Sequence, residues 1–258
     1  MDALLSTPEV LLIPKAFPST EDLEAVVQRY KKLRLHGLKV DPKSFSSTYS
    51  EESKFVPESW RSRVLNPMSK TFVTATDPDP DAQSNDPKLE SIPGTRFNGK
   101  DPNLSGLLRK EWAGVTTLLG PIPLLASAVN EDSTTTKPWD AFIKDRKYNI
   151  PSGSPELGDV EGSHIVYLVV GMFISPEARR KGHASRLLEA LIKEVRGEAS
   201  IHGASKASIT LQTEPGNESA VRLYEKLGFT VWDEALPMEN MKGDVSYMVS
   251  LAKEVELS

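Results

Sequence analysis

Seven consecutive residues in the second half of the chain have the composition of an anion-binding turn. They are Arg179, Arg180, Lys181, Gly182, His183, Ala184 and Ser185. Small residues such as Gly182 and Ala184 let backbone N–H groups come close to a ligand, and the positive end of a helix macrodipole favours a phosphate placed there. Three cationic side chains add positive charge to the same turn. The segment therefore predicts a phosphate-binding site.

Regular elements flank this turn and would hold it in place. A strand-like apolar run, Ile165 to Ile174, leads into the turn. After the turn, apolar residues recur with the spacing of one helix face, at Ala184, Leu187, Leu188, Leu191, Ile192 and Val195. The pattern predicts a strand, a turn and an amphipathic helix, so that a packed scaffold carries the turn.

A second pair of elements follows: a strand from Ala207 to Gln212, then a segment from Asn217 to Phe229 that contains Leu-Tyr-Glu-Lys-Leu-Gly-Phe. The first strand, Pro176-Glu177 and the pattern Arg179-x-x-Gly182-x-Ala184 together resemble the acetyl-coenzyme A signature of the GNAT superfamily of N-acetyltransferases. The Asn217 to Phe229 segment resembles the second motif of the same family. The resemblance extends from Ile165 to Trp232.

This resemblance implies both a fold and an activity. The implied fold is α/β (α+β), with a mixed, mostly antiparallel central sheet flanked by helices. The implied activity is transfer of an acetyl group from acetyl-coenzyme A (acetyl-CoA) to a primary amine. We expect acetyl-CoA or CoA and an amine acceptor as partners, the acceptor being a small molecule rather than a protein.

The resemblance also implies which residues hold the donor. The turn from Arg179 to Ser185 would bind the pyrophosphate of acetyl-CoA. In the family the preceding strand splays from its neighbour, so the backbone of Met172, Phe173 and Ile174 would contact the pantetheine and the acetyl oxygen. The apolar run is equally typical of an ordinary buried strand, and the two interpretations are compatible.

Tyr224 is the candidate catalytic residue, and Asn217 and Tyr224 are both candidate cofactor contacts. Tyr224 follows Asn217 by seven residues, so both can lie along one side of a helix. A phenol can protonate a departing thiolate without being charged itself at neutral pH. Alternatively, Tyr224 is a core aromatic residue, and Asn217 is a helix N-cap whether or not it touches the cofactor. Gly228 and Phe229 are expected to end the helix and to pack in the core.

The sequence singles out no general base. Glu51, Glu52 and Glu214 are carboxylates that the family topology could bring near the acceptor. Glutamates are usually solvated surface residues, however, and water chains could carry the proton instead.

Composition excludes several kinds of chemistry. The chain has no cysteine, so it has no disulfide, thiolate metal ligand or cysteine nucleophile. Its four histidines lack a second histidine three or four residues away that would place two ligands on one helix face; they are His36, His164, His183 and His202. We expect no metal site.

Charge and hydropathy set expectations about partners and location. The formal net charge of −5 argues against the broad basic face that nucleic-acid binding needs. The first residues, Met1 to Leu5, lack the basic region of a signal peptide, and the longest apolar run, Ile165 to Ile174, is too short to cross a bilayer. We therefore expect a soluble, intracellular, cytoplasmic protein that binds neither nucleic acid nor a membrane.

The 258 residues are expected to form one domain, 1–258, with irregular insertions at about 77–110 and 127–162. The other predicted elements are a strand over Val10 to Phe17, a helix capped by Ser19 and ended by Gly37, a helix over Pro57 to Leu65, strands over Thr71 to Thr76 and Gly114 to Leu119, and a closing strand over Asp244 to Leu251 before a polar tail. In the family, the region between the first two helices lines the acceptor side.

Two other classes of function compete with an acetyltransferase. A noncatalytic acyl-CoA-binding module or regulatory protein would keep the cofactor fold and use the insertions for partner contacts, although the presence of Tyr224 favours catalysis. A P-loop nucleotide binder would also suit an anion-binding turn, but neither Gly-x-x-x-x-Gly-Lys-Ser/Thr nor Gly-x-Gly-x-x-Gly occurs in the sequence. The identity of the acceptor and the oligomeric state stay open.

Overall fold

A computed structural model describes residues 8–77, 101–124, 138–148, 160–239 and 244–257. Seven of the described strands form one sheet in the order β1-β2-β3-β6-β7-β9-β8, and β4 pairs with β5 separately. The strands are β1 Glu9–Leu12, β2 Ser69–Thr76, β3 Glu111–Pro123, β4 Ile143–Lys144, β5 Lys147–Tyr148, β6 His164–Ile174, β7 Lys206–Thr213, β8 Thr230–Glu239 and β9 Val245–Val255. Every neighbouring pair in the seven-stranded sheet is antiparallel except β6 and β7.

Helices cover both faces of this sheet, as the predicted fold class requires. One face packs against α5 and α6, around buried residues such as Leu188 and Tyr167. The other face packs against α1, α3 and α4, around residues such as Trp60 and Phe173. The helices are α1 Thr20–Val40, α2 Tyr49–Glu52, α3 Pro57–Leu65, α4 Pro102–Arg109, α5 His183–Ile201 and α6 Glu218–Lys226. The predicted mixed, mostly antiparallel sheet flanked by helices is confirmed.

The first helix begins where the sequence predicts and ends later. The Ser19 hydroxyl accepts a hydrogen bond from the Asp22 amide at 3.1 Å, which satisfies one of the free N–H groups of the first turn. Gly37 does not end the helix. A Cβ at Gly37 would lie 3.1 Å from the Phe173 ring and 3.2 Å from the Phe45 ring, so glycine is needed here for close packing. The helix continues to Val40.

The terminal strands also differ from the prediction. β1 ends at Leu12 rather than Phe17, just before Pro14, which has no N–H to contribute to a sheet. β9 runs to Val255, and Ala252 and Val255 are buried in it, so the predicted polar tail is mostly strand. The edge strand β8 was not predicted, because most of its residues are exposed and no apolar alternation marks it.

The C-terminal end of the first predicted insertion is regular structure. Asp101 caps α4, Leu104 and Leu107 are buried in the core, and the Asn103 side chain bonds both the N–H and the C=O of Leu12 at 3.0 and 2.6 Å. The prediction of an irregular insertion to about residue 110 is therefore wrong over 102–109. Residues 78–100 lie outside the described residues.

The second predicted insertion also contributes to the core where it is described. Trp139 and Phe142 are fully buried around a short 3-10 turn, and β4 and β5 form a small hairpin after it. The flanking residues 125–137 and 149–159 lie outside the described part of the chain. Within the described residues, no helix is long and apolar enough to traverse a lipid bilayer.

Candidate active site

The two parallel strands at the centre of the sheet part from each other. β6 and β7 pair from His164 and Lys206 as far as Val169 and Leu211. Beyond this point β6 stays paired with β3 as far as Ile174, and β7 stays paired with β9. A gap therefore opens between the two strands beyond Val169 and Leu211, and the backbone of Met172, Phe173 and Ile174 lies along one side of it.

A β-bulge in β6 accompanies this separation. Thr117 of β3 faces Val170 and Val115 faces Phe173, so the single residue Thr116 lies opposite two residues of β6, Gly171 and Met172. Gly171 has φ +63°, a left-handed conformation that suits glycine. Bulges of this kind bend a strand, so the bulge helps β6 to diverge from β7.

The predicted anion-binding turn follows β6 and opens α5. Gly182 precedes the helix with φ +84°, and the first intrahelical bond runs from the Arg186 amide to the Gly182 carbonyl at 3.1 Å. The N–H groups of His183, Ala184 and Ser185 therefore have no acceptor within the helix, and no side chain caps them. Among the described residues, no atom beyond the chain neighbours would lie within 4 Å of a Cβ on Gly182, so there is open space beside the start of the helix. A phosphate fits this arrangement.

The three cations of the turn take different positions. The Arg179 Nε donates to the carbonyl of Ile174 at 3.1 Å, and its Nη2 lies 3.4 Å from the Asp41 carboxylate. Arg180 and Lys181 are exposed. Arg180 adopts φ +65°, which costs a non-glycine residue about 1 kcal/mol and is typical of strained turns at functional sites. Arg179 thus fixes the turn to β6, and the other two cations extend into solvent.

The side chain of His183 does not belong to the turn. It is buried beneath the helix, with its Nδ1 3.0 Å from the hydroxyl of Thr74 in β2. Burial lowers the pKa of the imidazole, and the nearby charges of Lys181 and Arg186 lower it further. Only the backbone N–H of His183 can therefore serve the predicted phosphate contact. The sequence carried no signal for the Thr74 contact, which joins elements 109 residues apart.

Tyr224 lies beside the part of β6 that extends beyond its pairing with β7, on the face covered by α5 and α6. Its hydroxyl donates to the Met172 sulfur at 3.6 Å, and its ring packs edge-on against Phe229 with centroids 6.0 Å apart. Burial raises the pKa of the phenol to about 12, so the group is neutral and protonated at physiological pH. Asn217 caps α6 by accepting from the Ala220 amide at 3.3 Å, as the sequence predicts. The roles of Tyr224 in catalysis and of both residues in cofactor binding stay predictions.

Two of the three candidate bases are committed to structural contacts. Glu52 is fully buried, and Arg34 bonds its carboxylate at 2.7 and 3.1 Å. Arg63 bonds it at 2.7 Å, and Ser47 makes a further short contact. Burial alone would raise the pKa of Glu52, but the hydrogen bonds and charges of these partners outweigh burial and lower the pKa to about 2. Such a carboxylate is too weak a base to take a proton from an amine. Glu51 closes a capping box with Thr48.

Glu214 occupies a different position, directly after the last residue of β7. It therefore stands at the wide end of the gap between β6 and β7. Burial raises the pKa of its carboxyl, Lys43 opposes the change, and Asp41 adds to it. Lys43 and Asp41 belong to the connection after α1, so this connection and the end of β7 lie on the same side of the gap.

A strand pair that parts beside an open helix N-terminus, with a neutral phenol next to the gap, is the arrangement that the GNAT resemblance implied. Residues 148–229 match the family model described as Acetyltransferase (GNAT) family. This segment is therefore similar to a GNAT acetyltransferase domain, and the resemblance drawn from the two motifs is confirmed. A comparison with curated proteins finds no match.

Solved structures are similar to this chain at low sequence identity. Arabidopsis thaliana NAA60 in complex with a bisubstrate analogue is 13% identical, with a TM-score of 0.51 over 96% of this chain and 100% of that chain. A GNAT-family acetyltransferase from Streptococcus pneumoniae is 14% identical, with a TM-score of 0.49 over 96% and 100% of the two chains. At so low an identity, the match to the Arabidopsis structure shows similarity of fold alone.

Proposed function

We propose that this protein is an N-acetyltransferase that moves an acetyl group from acetyl-CoA to a primary amine. The observation that supports the proposal most strongly is the divergence of β6 from β7 directly beside the open N-terminus of α5. A pantetheine arm can hydrogen-bond to the backbone of β6 beyond the point where the two strands part. A pyrophosphate a short distance away can accept from the helix N–H groups.

The donor-binding residues follow from this geometry. The N–H groups of residues 183–185 would hold the pyrophosphate, with Arg180 and Lys181 adding charge from solvent. The backbone of Met172 to Ile174 would hold the pantetheine and polarise the acetyl carbonyl. Acetyl-CoA supplies a thioester, whose carbonyl carbon is the acetyl donor.

Two side chains would manage the protons of the reaction. Glu214, at the wide end of the gap, would receive a proton from the acceptor amine, directly or through water, because its raised pKa makes it a better base than an ordinary carboxylate. The neutral hydroxyl of Tyr224 would donate a proton to the departing thiolate. Both groups border the gap between β6 and β7.

We favour a small-molecule acceptor over a protein. The Asp41 and Glu214 carboxylates lie at the rim of the gap, and carboxylates attract the ammonium form of an amine before it is deprotonated. Nothing in this proposal requires nucleic acid, a membrane or a metal ion. In the described residues, no group of three or more histidine, aspartate and glutamate side chains could hold a metal ion.

The experiment that tests the proposal has two stages. Calorimetric titration with acetyl-CoA measures binding, and a thiol-release assay with acetyl-CoA and a panel of small amines then measures turnover. Binding together with amine-dependent thiol release supports the proposal. Binding without release on any amine would favour a noncatalytic acyl-CoA-binding module, and absence of binding would refute both functions.

A further inference from the structure

Helix α1 lies along the part of β6 beyond Val169, where β6 no longer pairs with β7. It is on the face opposite Tyr224 and α5. Three contacts occur in the same order along α1 and β6. Arg34 approaches Gly171, Gly37 packs on Phe173, and Asp41 pairs with Arg179 just beyond the strand. Phe173 faces the α1 side, whereas Met172 faces Tyr224. If the donor lies along α5 and α6, an acceptor reaches the gap from the α1 side.

Arg34 is held rigidly on this acceptor side. Its Nε and Nη2 bond the Glu52 carboxylate at 3.1 and 2.7 Å, and Nη2 also donates to Ser47 at 3.0 Å. The guanidinium plane stacks on Phe45, with 4.4 Å between the central carbon and the ring centroid. Three independent contacts therefore fix the group's position before any ligand arrives.

The Nη1 atom of Arg34 faces the β6 bulge. A Cβ built on Gly171 would lie 3.4 Å from this Nη1, and no other described atom would be within 4 Å. Within the described residues, the hydrogen bonds and ion pairs of Arg34 use Nε and Nη2 only. Gly171 is partly exposed and the Arg34 side chain is 13% exposed, so a ligand can approach the guanidinium from beside the bulge.

The charges around Glu52 do not cancel. Two guanidinium groups, Arg34 and Arg63, share one buried carboxylate, which leaves one positive charge in excess. Arg63 approaches the carboxylate from α3 and stacks on Phe55 and Trp60, away from Gly171. Arg34 is therefore the member of this positively charged cluster that lies beside the gap.

We propose that Arg34 selects acceptors that carry a carboxylate, so that the substrates are small amino carboxylates such as free amino acids. This inference rests on the proposed acetyl transfer and names its substrate class. The Nη1 of Arg34 binds the carboxylate of the acceptor next to Gly171. The amine lies toward the carboxylates of Glu214 and Asp41. A fixed arginine donor suits a carboxylate oxygen in both charge and geometry.

The test compares amino acids with their primary amides, which keep the shape and lose the charge. Glycine, β-alanine and γ-aminobutyrate are assayed against the three amides for kcat/KM with acetyl-CoA, in wild type and in Arg34→Lys. Lysine retains a positive partner for Glu52 but cannot reproduce the planar fork of donors. Acid and amide differ in amine basicity, so the measured quantity is the change in their ratio between the two proteins, in which that difference cancels.

We expect the acid-to-amide ratio to fall about 10- to 100-fold in Arg34→Lys for at least one pair, the size of a charge-assisted hydrogen bond. Arg63→Lys is the matched control, because it weakens the same Glu52 contact without touching the gap, and its ratio should equal that of wild type. An unchanged ratio in Arg34→Lys, or a wild type that prefers amides or diamines, overturns the inference and leaves acetyl transfer intact. Absence of thiol release with every amine overturns the proposed function instead.

Wild type alone gives a second measurement, should Arg34→Lys fail to fold. Propionate should compete with the amine acceptor at least about 10-fold more strongly than propionamide, because only propionate carries the group that Arg34 binds. Equal competition by the two compounds would refute the role of Arg34 without any variant.

Discussion

The hydroxyl of Tyr224 lies 3.6 Å from the sulfur of Met172, so helix α6 contacts β6 at the segment that has left β7. The contact joins the second motif of the sequence to the backbone predicted to bind the donor. The same contact is what an ordinary core tyrosine would make, and the ring packs with Phe229 in the core. Kinetics, rather than packing, must separate the two roles.

Tyr224→Phe keeps the ring and removes only the proton donor. If the phenol protonates the leaving thiolate, kcat should fall by about 10²- to 10⁴-fold, while the affinity for acetyl-CoA measured by calorimetry changes little. Tyr167→Phe is the matched control. The Tyr167 hydroxyl donates to Glu198 of α5 at 2.9 Å, and Tyr167 lies in the part of β6 that still pairs with β7. This variant should therefore lose about 1.5 to 3 kcal/mol of stability and retain wild-type kcat. Wild-type turnover in Tyr224→Phe would remove Tyr224 from the mechanism.

Gly182→Glu places a carboxylate in front of the α5 N–H groups. Bulk and like charge should lower the affinity for acetyl-CoA by about 100-fold or more, and the open space around the Cβ should let the fold persist. Gly162→Glu controls for backbone strain, because Gly162 also has positive φ and open space but lies before β6, at the other end of the strand. Calorimetry on both folded variants decides the matter. Equal affinities would contradict the phosphate site.

The His183–Thr74 contact should make stability depend on pH. The folded pKa of His183 is lowered below its ordinary 6.5, so the unfolded chain binds more protons between the two pKa values. The stabilisation is present above pH 6.5 and is lost as pH falls through the folded pKa. Urea unfolding between pH 7.5 and 5 should therefore show a steeper loss in wild type than in His183→Asn. Parallel curves would show that His183 is not the titrating group.

The elements around the donor site could be predicted from sequence because their signals are local. The helix after Gly182 has an uninterrupted apolar stripe, and Asn217 and Gly228 mark the two ends of α6. Helix α4 also had a local signal, Asp101 followed by Pro102, which is typical of a helix start, but the surrounding polar tract obscured it.

The acceptor side could not be predicted, because its contacts join distant segments. Arg34 meets Glu52 from 18 residues away and Gly171 from another layer of the fold. Nothing in the sequence near Glu52 shows that two arginines neutralise it. A sequence therefore offers Glu52 as a candidate base, and only the fold shows that its proton affinity is too low.

Glu52→Gln should destabilise the protein without affecting proton transfer. A pKa lowered from 4.5 to about 2 corresponds to about 3 kcal/mol of stability at neutral pH, or about 6 to 12 °C in melting temperature. This stabilisation is complete above pH 4.5 and is lost as pH falls through about 2, so the difference between variant and wild type should shrink from pH 7 to pH 3. Glu51→Gln is the control, since glutamine also closes a capping box. A destabilisation by Glu52→Gln that stayed constant down to pH 3 would contradict the pairing.

Glu214→Gln tests the remaining candidate base. A base acts only when deprotonated, so kcat/KM in wild type should rise with pH through the pKa of Glu214, which lies above the ordinary 4.5 because the carboxyl is partly buried. Glutamine cannot accept the proton, so the variant should lose this rise and fall about 10²- to 10⁴-fold in kcat/KM, with unchanged affinity for acetyl-CoA. The titration of the acceptor amine itself is common to both proteins and cancels in the comparison. Glu177→Gln, at an exposed glutamate in the 3-10 turn after β6, should match wild type in rate and pH profile. If Glu214→Gln also matched wild type, the amine proton would leave through water, and the raised pKa of Glu214 would reflect only its burial and the nearby charge of Asp41.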